Sequence, residues 1–107
     1  MYDPVIALNH HVALLTLVEL TKIEVANSRG LIQLAAKSAG RDIVAELNKS
    51  RDTLRANKMW VADQPVGERR YRYSLAGRGA VHEISETDLE MNMRAIMGDL
   101  ERALNKR

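Results

Sequence analysis

The chain has 107 residues, 46% hydrophobic and 28% charged, with a net charge of +2. That size and balance fit one domain with its own core. It has no cysteine, which excludes disulfides, thiolate zinc sites, iron–sulfur clusters and cysteine nucleophiles and is consistent with a cytoplasmic setting.

The first element is well marked. Asp3 suits an N-cap and Pro4 the first helical position. Val5, Ile6, Leu8, Val12, Leu14, Leu15, Leu17, Val18, Leu20, Ile23 and Val25 follow, a set too broad for one apolar stripe. The spacing predicts a helix of roughly 35 Å, buried on two sides and ending at Asn27-Ser28-Arg29-Gly30. Its apolar run from Val12 to Leu20 reads as too short to span a membrane, and its flanks are wrong for a signal peptide.

A short helix is expected over LIQLAAKSAG, ended or sharply turned at Ala39-Gly40. A third, Arg41 to Asn57, has Ile43, Val44, Leu47 and Leu54 on one side. Its outer face is polar and mixed in charge. MWVAD reads as a strand, QPVG as a turn and ERRYRYSL as the returning strand of a hairpin. Alternation puts Arg69, Tyr71, Tyr73 and Leu75 on one face and Glu68, Arg70, Arg72 and Ser74 on the other. Ser85 or Thr87 then caps a last helix carrying Leu89, Met93, Ile96 and Leu100 at spacings of four and three.

The charge is uneven. Residues 37–79 hold ten Lys or Arg against five Asp or Glu, a local charge of +5, while residues 1–36 carry −1 and residues 80–107 carry −2. A concentrated positive segment is how a nucleic-acid-binding face often reads in sequence.

This order of elements, with LRANKMWV (Leu54 to Val61) and YRYSLAGRGAV (Tyr71 to Val81), resembles the winged helix-turn-helix domain of the MarR and PadR transcription-regulator families. In the second stretch Leu75 and Gly79 hold those families' Leu-x-x-x-Gly spacing. The likeness covers roughly residues 30–82, and the loop at Ala39-Gly40-Arg41-Asp42 is shorter than theirs. It implies a mainly α fold with a small β-hairpin. The single domain divides into a long N-terminal helix (1–29), helix-turn-helix plus wing (30–82) and a C-terminal helix (83–107).

The resemblance also implies a dimeric repressor of transcription on double-stranded DNA. The third helix would enter the major groove with Arg41, Asn48, Lys49, Arg51, Asp52 and Arg55. A wing carrying Arg69, Arg70 and Arg72 would touch backbone or minor groove. Val12, Leu15, Leu89, Met93, Ile96 and Leu100 would make the homodimer. Two alternatives stand: a protein-interaction module on the same fold, with a Met-rich last helix, or a single-strand or RNA binder stacking bases on Tyr71 and Tyr73.

Adjacent His10 and His11 point about 100° apart on a helix and cannot chelate one metal as an i, i+4 pair would. No nucleophile–base pairing is visible, and AGRG is too short for a phosphate cradle. Neither an enzyme, a cofactor nor a membrane partner is expected.

Overall fold

The computed structural model describes residues 2–106. Its elements are α1 (Pro4–Asn27), α2 (Gly30–Ala56), β1 (Met59–Val61), β2 (Arg70–Leu75), β3 (Arg78–Glu83) and α3 (Glu86–Asn105). The fold is mainly helical with one small antiparallel sheet, in the order β1-β2-β3.

α1 starts as its sequence dictates. The Asp3 carboxylate accepts from the backbone N–H groups of Val5 and Ile6, and Pro4 opens the helix. By length and composition α1 is apolar enough to cross a membrane, more than the run Val12 to Leu20 suggests. In the folded chain its middle is the centre of the core: Leu8 and His11 to Leu15 are buried, as is Leu17. α2 supplies Ile43, Leu47 and Leu54, the sheet Met59, Val61 and Tyr71, and α3 Ile96, with Ile84 just before it. Beyond Leu17 the cover thins: Val18 still packs on the core, but no residue from Val18 to Asp42 is buried.

The short helix and third helix expected over 31–57 are one continuous helix, α2. The turn that a helix-turn-helix needs at Ala39-Gly40 is absent. Gly40 serves close packing instead: a Cβ there would lie 2.9 Å from Thr21 Cγ2 on α1. Ala35, Ala36 and Ala39 favour helix through this stretch, and Gly30, at φ +67°, supplies the sharp reversal between α1 and α2.

β1 and β2 pair antiparallel, as the alternation predicts, with Met59 opposite Leu75 and Val61 opposite Tyr73. The connection between them is residues 62–69, longer than the expected QPVG turn. A third strand follows where the sequence reading places only an exit to the last helix. Ala76 and Gly77, both at positive φ, form the two-residue turn into β3. β2 is therefore the central strand, and its arginines do not protect an exposed edge. Ser85 caps α3, its Oγ accepting from the Asp88 N–H.

Candidate nucleic-acid interface

α2 organises the basic segment. At about 100° and 1.5 Å per residue, positions 37, 41, 44, 48, 51 and 55 fall on one straight stripe about 27 Å long. They are Lys37, Arg41, Val44, Asn48, Arg51 and Arg55. The stripe flanks the buried line of Ile43, Leu47 and Leu54, and all of its members except half-buried Arg51 are exposed. It contains no acidic residue. Arg41, Asn48, Arg51 and Arg55, expected together from sequence, are thus brought together.

Two other expected residues are placed differently. Lys49 lies about a third of a turn away, bonds Glu46 at 3.2 Å and lines a cleft with His10 and Asn92. Asp52 sits at the stripe's edge, 3.8 Å from Arg55. Arg51 bridges to the loop after β1: its Nη2 donates to Asp63 Oδ1 at 2.7 Å and its Nη1 to Asn48 Oδ1 at 3.3 Å.

The arginines expected at the wing separate. Arg69, at φ +56°, turns the β1–β2 connection; its Nε donates to the Ile84 carbonyl at 3.2 Å and its Nη1 to Glu68 at 2.9 Å. It is a structural turn residue. Arg70 and Arg72 point to the open face of the sheet, Arg70 lying 3.7 Å from Glu83 on β3. Arg72 forms no ion pair among the described residues. Arg69 and Arg70 lie at the β1–β2 connection, where the sequence reading puts the wing tip, whereas the added β2–β3 turn carries Ala76 and Gly77.

The tyrosines face inward. Tyr71 is buried and Tyr73 packs on the core, its ring edge-on to His82 with centroids 6.3 Å apart. Burial raises the Tyr71 phenol above its ordinary value, with Glu19 adding to the shift and a hydrogen bond with Thr16 opposing it. Neither ring is free to stack on a base. The aromatic on the open face is Trp60, 58% exposed, which sequence reasoning treats only as part of an apolar strand. Period-two alternation from buried Met59 and Val61 would have turned it outward.

The apolar positions expected to make a dimer are engaged within the chain. Val12, Leu15 and Ile96 are buried, and Leu89, Met93 and Leu100 pack against the same core. α3's 4-3 seam packs on this chain's own core.

His10 is exposed, whereas His11 is buried and shares a 2.8 Å hydrogen bond with Ser50 through Nδ1. His82 Nε2 bonds Asn9 at 2.7 Å, tying β3 to α1, and burial lowers its pKa. Comparison with protein-family models, curated proteins and solved structures finds no match to this chain.

Proposed function

We propose that the protein is a duplex-DNA-binding regulator that works as a homodimer in the cytoplasm. The observation that carries this reading is the stripe of Lys37, Arg41, Asn48, Arg51 and Arg55 along α2, whose acidic neighbours are Asp52 at its edge and Asp63 on Arg51. An α-helix fits the major groove of B-DNA, and a line of cations about 27 Å long spans several phosphates. Arg41 and Arg55 lie 14 residues apart, about 21 Å, far enough for separate phosphate contacts. Asn48 between them has the amide that pairs with adenine. Arg70 and Arg72 on the sheet add positive charge. This differs from helix-turn-helix docking: one long helix presents its side, with no preceding helix crossing the backbone. Repression by occupying the bound site is the regulatory mode that follows.

The test is the salt dependence of binding to a labelled duplex, followed by fluorescence anisotropy. Each neutralised phosphate contributes about 0.9 to the slope of log K against log salt. Arg41→Ala with Arg55→Ala is expected to weaken binding to every sequence and flatten the slope by about 2. Lys49→Ala, on the other side of the helix, is expected to leave the slope unchanged. An unaltered slope in the double variant overturns the reading.

One observation favours a protein-interaction module instead. Leu31, Ile32 and Leu34 at the start of α2 are 84%, 64% and 62% exposed. Absence of any mobility shift on random duplex at low salt and micromolar protein selects that second reading.

A further inference from the structure

Trp60 lies on the open face of the sheet in a row with Ser74 and Gly79, because Trp60 pairs with Ser74 and Ser74 with Gly79. Directly paired residues share a face. The next rows on that face are Arg72 beside Val81, then Arg70 beside Glu83. The buried side of the same strands holds Met59, Val61 and Tyr71. The indole therefore stands on solvent with two small neighbours in its row. A Cβ at Gly79 would meet only the Tyr73 carbonyl, at 3.9 Å, so that end of the row is open.

Cations flank the ring. Arg72 is its diagonal cross-strand neighbour, about 7–8 Å away in antiparallel geometry. On the other side Trp60, Arg51, Arg55 and Asp63 line one cleft of about 280 Å³. An exposed aromatic between cations matches a nucleobase whose phosphates lie to either side: every base has a π-face, and stacking needs no particular sequence.

We infer that Trp60 is a stacking site for an unpaired nucleobase of DNA held on the α2 stripe, with Arg72 and Arg55 contacting the phosphates on either side of it. The preferred substrate is then a duplex with an adjoining single-stranded segment rather than a blunt duplex. The inference rests on the duplex-binding reading above, because the cleft joins the sheet to the C-terminal end of the stripe.

The protein has a single tryptophan, so its fluorescence reports on this ring alone. The experiment titrates it with a blunt duplex, with the same duplex bearing a short single-stranded overhang, and with the single strand. The overhang substrate is expected to bind about tenfold tighter than the blunt one and to quench the emission. Trp60→Ala, which removes the fluorophore and is therefore followed by the anisotropy of labelled DNA, is expected to abolish the tenfold gain while keeping blunt-duplex affinity. Equal affinities with no quenching overturn the stacking site and leave the duplex reading intact. Binding of the single strand alone, with quenching, supports the stacking site and overturns the duplex reading. Failure of all three to bind overturns both.

Discussion

At the residue scale, His11 shows how much a single buried polar group can govern. It is 1% exposed in an otherwise apolar core, and its Nε2 has no hydrogen-bond partner among the described residues. Burial, with the Arg51 guanidinium and His10 adding and Asp63 opposing, lowers its pKa to about 4. The unfolded imidazole titrates near the ordinary value of about 6.5. Between these values the unfolded chain takes a proton that the folded chain refuses, so stability falls as pH falls from about 6.5 to 4. The loss approaches about 3 kcal/mol at the lower end. Urea unfolding at pH 7.5 and pH 4.5 reads it, and His11→Leu is expected to flatten the difference. A pH dependence that survives in His11→Leu places it in other groups. The sequence shows two adjacent histidines and their divergence, but not which one is enclosed, because that depends on what packs around α1. The inward turn of Tyr71 and Tyr73 is legible from period-two alternation with Leu75. The same alternation exposes Trp60, yet a three-residue strand is too short for its pattern to stand out.

At the element scale, local signals and tertiary packing divide the outcome. Asp3, Pro4 and Ser85 mark helix starts through chemistry that acts within three residues, and those starts are where the sequence puts them. Gly40 carries the opposite lesson. An alanine followed by glycine reads as a stop, but a glycine inside a helix also allows a second helix to come close. Only the position of Thr21, distant in sequence, distinguishes the two. β3 is missed for a related reason: Arg78-Gly79-Ala80 has weak strand propensity, and its pairing with β2 supplies the order. The Gly40 contact can be tested directly. Thr21 is short and β-branched, and its Oγ1 donates to the Leu17 carbonyl at 2.7 Å, so its methyl has little room to yield. Gly40→Ala should therefore lose about 1 kcal/mol, the overpacking outweighing the gain in helix propensity. Thr21→Ser removes that methyl while retaining the hydroxyl. In its background Gly40→Ala should become stabilising by about 1 kcal/mol. Thermal or urea unfolding of the four proteins measures the reversal, and additivity of the two substitutions would show that the methyl is not the obstacle.

At the scale of the whole molecule, the question is what covers the far half of the α1–α2 pair. The breadth of apolar residues along α1 predicts burial on two sides, and the chain provides it only as far as Leu17. Leu20 and Ile23 continue the apolar surface into solvent, and Leu31, Ile32 and Leu34 on α2 are still more exposed. Exposed aliphatics gathered at one end of a helix pair are the pattern of an interaction surface. Charge favours a second copy as the occupant. The α1 part of this arm carries Glu19 and Glu24 against Lys22, a net charge of −1, and Arg29 just before α2 is positive, so two arms related by a two-fold axis would set α1 of each against the start of α2 of the other with opposite net signs facing. Such an interface is self-complementary and closes at two chains. It would also set two basic stripes in fixed relation, as binding of a two-fold DNA site requires. A dimer of the kind proposed would use the arm, since Val12, Leu15 and the α3 seam pack on the chain's own core. Light scattering with size-exclusion chromatography is expected to give twice the chain mass. Leu31→Ser with Leu34→Ser should return the mass of a single chain with unchanged helical circular dichroism, since neither side chain contributes to the core. Leu89→Ala, which touches the core, should lower stability while leaving the mass at two chains. A single-chain mass for the unaltered protein at tens of micromolar would remove the second copy as the occupant and leave the arm to a different protein.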